Sequence, residues 1–341
     1  MERVRLIYEQ IEEAKKLLLA GSLLQLRLAL ILLDNAVELM MYRELEYQFA
    51  WDDSWRPGWQ PALDEWLRAG LGPKYTAAER KEAERNFDPK ARILGFRLGR
   101  ISPDEQAIIK VCHKLRCGAF HRGHLRPEIL LPVCRLLYLT CAELTVKLRF
   151  KAYTASPLSA EDQAFLGRFG ITSSYLLGTD EGVNQLRNKL TEGVTVNPME
   201  VSAVLSGDLV SRLDSIVDGL AYVGETEDEA KIDYNLQYTQ FWQEEGAELR
   251  KRGLLGERVE QAFEEWKLAG RARYTLAKLK KWRRHSLQIA SNRRPAAALA
   301  CFWAIESRFG HLEDDVQEAV ARFDERINEL VHHQKIFGPT G

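Results

Sequence analysis

Between Leu115 and His124 the chain reads Leu115-Arg116-Cys117-Gly118-Ala119-Phe120-His121-Arg122-Gly123-His124, an arginine followed after four residues by a histidine. These two residue types suit phosphoryl chemistry. A histidine titrates near neutrality, so His121 can take a proton from a ribose 2′-hydroxyl or give one to a leaving oxygen. A guanidinium cannot lose its charge, and the fork of Arg116 fits a phosphate on which negative charge accumulates during transfer. Such a pair can cleave RNA without a metal, leaving a 2′,3′-cyclic phosphate. Arg122 and His124 stand close enough in sequence to touch the same substrate.

The elements that must position this pair are helical. Ser102-Pro103-Asp104-Glu105 places a cap residue, a proline in the first helical position and an acid three residues after the cap, so a helix is expected over 103–120. Five residues along an ideal helix turn through about 140°, which puts Arg116 and His121 on different faces. Gly118 and Gly123 weaken the helix there, so its last turn can open and swing His121 round toward the arginine. Upstream, the apolar segment Ala29-Leu30-Ile31-Leu32-Leu33-Asp34-Asn35-Ala36-Val37-Glu38 sets Asp34 and Glu38 four apart on one helical face. A carboxylate buried there needs a partner, and Arg116 is the obvious one. Alternatively, Asp34 or Glu38 anchors another basic group of the bundle.

Taken together these residues resemble the HEPN family, whose hallmark is an Arg-x4–6-His motif inside a small helical bundle. The resemblance covers residues 1–153. It implies a metal-independent endoribonuclease with Arg116 and His121 as catalytic residues, Glu38 and Asp34 in support, and a homodimer in which two motifs face one shared cleft. It also implies a toxin or antiviral-defence effector held in check or triggered by a protein partner. One departure is Cys117, where catalytic members commonly carry Asn, Asp or His after the arginine; a thiol is a weak hydrogen-bond donor. The alternatives are a catalytically silent scaffold of the same shape and a helical adaptor for a protein partner. In those readings Arg116 is a salt-bridge partner and His121 a cation at a helix C-terminus.

A second charged feature lies far downstream. From Arg271 to Arg294 there are nine Lys or Arg residues and no acid, whereas 225–265 holds twelve acids and five bases. The basic segment, expected as a helix over 272–290, could hold RNA phosphates through Lys278, Lys281, Arg283 and Arg284. It could equally pair with the acids. His113, Cys117 and His121 repeat every four residues, but positions eight apart on a helix are about 12 Å apart, too far for ligands of one tetrahedral ion. No metal or cofactor is therefore expected. Trp51, Trp55, Trp59 and Trp66 cluster around Arg56-Pro57-Gly58 and read as a satellite core or subunit contact rather than a base-stacking platform. Cys301, among Ala296–Ala300 and Phe302-Trp303, reads as core packing.

Composition bounds the rest. The 341 residues carry a formal net charge of -1, which excludes a globally cationic nucleic-acid coat. Five cysteines are too few and odd in number for a disulfide framework, and the N-terminus lacks an apolar signal core. Arg27 interrupts the most apolar stretch, Leu17 to Leu33, so a cytoplasmic protein without a membrane span is expected. There is no Gly-rich phosphate loop, dinucleotide fingerprint or Gly-x-Ser-x-Gly elbow. Helical periodicity runs from end to end, which predicts an all-α chain. The small polar segment Thr154–Ser159 predicts a boundary between a bundle at 1–153 and a second helical domain at 159–341. Further helices are expected near 61–69, 89–99, 127–153, 295–309 and 313–336.

Overall fold

The computed structural model describes residues 2–54, 75–121, 126–148, 159–171 and 179–337. Among them are thirteen α-helices and no strand, so the chain is all-α as its periodicity predicts. Contacts divide it into two units. The first spans Met1–Val201 with Arg294–Ala300, and the second Ser202–Arg293 with Cys301–Gly341.

The first unit contains α1 (Glu2–Ala20), α2 (Leu23–Ser54), α3 (Ala77–Arg85) and α4 (Phe87–Arg92), the last running into a π-helical turn at Ile93–Arg97. α5 (Pro103–His121), α6 (Pro127–Lys147), α7 (Ala160–Arg168) and α8 (Asp180–Thr191) follow. On α1 the buried Val4, Ile7, Ile11, Ala14 and Leu18 recur at spacings of three and four, one stripe facing the core. α2 is different. Helices α1, α4, α5 and α6 all pack on it, so its buried face is wider: Ala29, Ala36 and Leu45 flank the stripe of Leu26, Leu30, Leu33, Val37, Met40 and Met41. Each large apolar side chain buried this way contributes about 1.5–3 kcal/mol. An acid in the middle of such a helix has no route to water, which is why Asp34 is only 2% exposed.

Capping sets the entry to α5. Ser102 Oγ accepts from the Glu105 amide at 3.3 Å, and a Glu105 carboxylate oxygen accepts from the Ser102 amide at 2.8 Å. α6 is long and apolar enough to cross a membrane by length and composition, but 72% of its most apolar window is buried inside the structure.

The expected boundary segment 154–158 lies outside the described residues, as does the expected helix at 61–69. Contacts carry the first unit further, to Val201. The physical reason lies in α7 and α8: Phe165 and Phe169 pack on Tyr8 with ring centroids 5.8 and 6.3 Å apart. Tyr138 also donates its hydroxyl to the Leu190 carbonyl at 2.6 Å.

The second unit holds most of α9 (Pro198–Val223), then α10 (Glu229–Lys251), α11 (Glu257–Leu268), α12 (Leu276–Ile289) and most of α13 (Pro295–Phe337). Phe241, Leu249, Val259, Phe263 and Trp266 form a core between α10 and α11. The expected break near residues 310–312 is absent and α13 is continuous. Phe302, Ile305, Phe309, Leu312 and Val316 form one buried stripe through Gly310, enough to offset the roughly 1 kcal/mol that a helical glycine costs. Cys301 corrects another expectation. It is exposed, because the buried face runs through Ala298, Leu299 and Phe302 and residue 301 falls beyond its edge.

Candidate functional site

Asp34 is the hub. α2 holds its carboxylate in the core, and α5 brings two basic side chains to it. Arg116 Nε donates to Oδ2 at 2.8 Å, and His113 Nδ1 lies 3.1 Å from both oxygens. Arg116 is 25% exposed at its side chain, so one edge of the guanidinium is fixed while its Nη groups have no further partner among the described residues. Burial opposes the charge on Arg116, but the hydrogen bond and charge of Asp34, with the fields of Cys117 and Glu38, hold its pKa above the ordinary value. The result is an anchored cation whose Nη fork is unpartnered among the described residues, a geometry suited to bidentate phosphate binding.

Glu38 goes elsewhere. Its carboxylate accepts from Lys90 Nζ at 2.9 Å, and Lys90 is almost completely buried on α4. The two acids on one face of α2 therefore divide their duties, Asp34 taking Arg116 and Glu38 anchoring a different basic group. Asn35, on the next position, donates to Gln10 on α1 at 3.0 Å.

α5 stays helical through Gly118 to His121, so its last turn does not open before His121 as the glycine would allow. Packing on α2 and α6 extends the helix past the weak residue. Positions 116 and 121 are thus about 140° apart around one axis, and the backbone does not bring them to one face. The side chain of His121 and the whole of Arg122 and His124 lie outside the described residues.

Sequence reasoning missed His113 as a member of this group. Its ring stacks on Phe87 at 3.9 Å and 11°, with Asp34 at one nitrogen and Cys117 at the other; Cys117 Sγ is 3.9 Å from Nε2. The signal was present as the i, i+4 spacing of His113 and Cys117 on the helix that carries Arg116. Among the described residues no three His, Cys, Asp or Glu side chains are grouped to hold a metal ion.

The basic segment starts later than expected. Thr275 caps α12 by accepting from the Lys278 amide at 3.3 Å, leaving Arg271 and Arg273 before the helix. Several of its charges are already engaged. Arg271 pairs with Glu244 and Glu245, Arg273 with Glu244, Lys280 with Glu229 and Arg283 with Asp214. Arg294, in the first unit, pairs with Asp104 at 2.7 Å. Lys278 Nζ donates to the Arg273 carbonyl at 2.6 Å. Lys281 and Arg284 are exposed and have no ionic partner among the described residues. Trp282 is buried against Tyr274 and Phe309, so its ring is not available for base stacking. Of the tryptophan cluster, Trp51 is 57% exposed, and Trp55, Trp59 and Trp66 lie outside the described residues.

Compared with protein-family models, with curated proteins and with solved structures, the chain matches none.

Proposed function

We propose that this chain is a metal-independent endoribonuclease of the HEPN type, a toxin or antiviral-defence effector working as a homodimer. The observation that carries the reading is the buried Asp34 carboxylate gripping Arg116 through Nε, with the Nη fork unpartnered among the described residues. A guanidinium held this way meets a phosphate without reorganising, which is what stabilisation of developing charge requires. His121, at the end of the same helix, is the proton-transfer residue. Because 116 and 121 diverge around the helix, the phosphate clamp and the proton carrier of one cut are supplied more readily by two copies than by one. Lys281 and Arg284 are the charges of α12 free to hold RNA backbone, with Lys278 and Arg283 beside them.

A protein-binding scaffold or adaptor is the second reading, favoured by the pairing of Arg271, Arg273 and Lys280 with acids of α10. The chemistry separates the two. Total RNA and tRNA are incubated with the purified protein in EDTA, and fragment ends are analysed. Fragments ending in 2′,3′-cyclic phosphate are expected. Intact RNA from a folded, dimeric sample supports the scaffold.

A further inference from the structure

Asp34, His113 and Cys117 stand in the order carboxylate, imidazole, thiol. His113 and Cys117 are four apart on α5 and so share one helical face. Asp34, as an acceptor on both oxygens, fixes the proton of His113 on Nδ1 and leaves the lone pair of Nε2 toward Cys117 Sγ, 3.9 Å away. The Phe87 ring, 3.9 Å from the imidazole, holds that orientation. A base aimed at a thiol and oriented by a third group is the arrangement that activates a nucleophile.

We infer that Cys117 is a reactive thiol that forms a mixed disulfide with small-molecule disulfides. Cys117 Sγ attacks one sulfur of the disulfide RS–SR. The new Sγ–S bond forms as the old S–S bond breaks, and the thiol proton passes to His113 Nε2. The imidazolium, paired with Asp34, returns that proton to the departing thiolate, which leaves as RSH. The Cys117 sulfur is oxidised and the departing sulfur reduced, so the disulfide itself is the oxidant.

The other cysteines lack this setting. Cys112, Cys134 and Cys141 are buried, and burial raises all three pKa values, that of Cys134 to about 12. Cys301 is exposed but has no base beside it among the described residues. It is an internal control, a thiol more open to reagent than Cys117. Cys117 adjoins Arg116 in sequence and its charge acts on that guanidinium, so an adduct on Cys117 would hinder phosphate binding there. That consequence rests on the proposed nuclease reading; the reactivity of the thiol does not.

The test uses the full chain with oxidised glutathione at pH 7.5, quenched with an alkylating agent and read by peptide mass spectrometry. Cys117 is expected to acquire glutathione on the order of 10-fold faster than Cys301, reversibly with dithiothreitol, and His113→Gln is expected to remove that advantage. Reaction at Cys117 no faster than at Cys301 in the unmodified chain overturns the inference, as does an unchanged rate in a folded His113→Gln protein. Should that variant fail to fold, the ratio within the unmodified chain decides. Mass is the readout, so the result stands apart from whether the protein cuts RNA.

Discussion

The Asp34–Arg116 pair makes a quantitative prediction because its partners are unequally buried. Asp34 is 2% exposed and Arg116 25% at its side chain. Removing the carboxylate with Asp34→Asn leaves a guanidinium that can turn to water, and costs about 1–2 kcal/mol for the lost charged hydrogen bond. Removing the cation with Arg116→Met leaves a carboxylate sealed in the core with His113 as its one partner among the described residues. Breaking a buried pair from that side costs about 3–5 kcal/mol, and His113 places the expected value near the lower end. The double variant leaves no uncompensated charge, so the two losses should not add; a coupling of about 1.5–2 kcal/mol is expected. Hydrogen exchange followed by mass spectrometry reads the opening of α2 and α5 directly. An Arg116→Met protein more stable than Asp34→Asn, or a coupling below about 0.5 kcal/mol, would show that Asp34 is not the buried anchor described above.

Further predictions concern other sites. Glu38→Ala leaves the buried Lys90 ammonium without its partner and should cost about 2–4 kcal/mol, whereas Lys90→Met leaves a half-exposed Glu38 and should cost under about 1 kcal/mol; thermal unfolding of the two variants checks the order. Burial and the neighbouring Asp314 and Glu318 raise the pKa of Asp315, opposed by His311 and Arg322. A raised carboxyl favours folding below its unfolded pKa and loses that contribution as pH rises through the folded value. Asp315→Asn should therefore be neutral below about pH 3.9 and stabilising at pH 7, by less than about 1 kcal/mol at this partly exposed site; urea unfolding at the two pH values tests the sign. Substituting both Lys281 and Arg284 by Ala should weaken single-stranded RNA binding and flatten the slope of log affinity against log salt by about 1.4. Fluorescence anisotropy across a salt series measures that slope, and an unchanged slope removes α12 from the RNA surface.

Much of the first unit could be read from residue order, for physical reasons that differ by element. The cap at Ser102 and the 3–4 stripe on α1 are local signals, and both appear in the structure. The contact between Asp34 and Arg116 followed from the need of a buried acid for a cation. Glu38 was harder, because its partner Lys90 lies on a short helix whose burial no local pattern announces. Gly118 and the expected gap at 310–312 misled for one reason: packing of a whole helix outweighs a short weak stretch. Cys301 misled because apolar neighbours in sequence are not neighbours on a helical face. His113 was visible only as a spacing; its partners come from α2 and α4, which a one-dimensional pattern does not join.

The most direct test of the proposed activity is a single-turnover cleavage rate in EDTA, measured on one RNA for the unmodified chain and for His121→Ala, Arg116→Ala and Asp34→Asn. Loss of cleavage in the first two, with a smaller loss on the order of 10-fold in Asp34→Asn as the guanidinium loses its anchor, is the predicted result. Equal rates in all four folded proteins would contradict it.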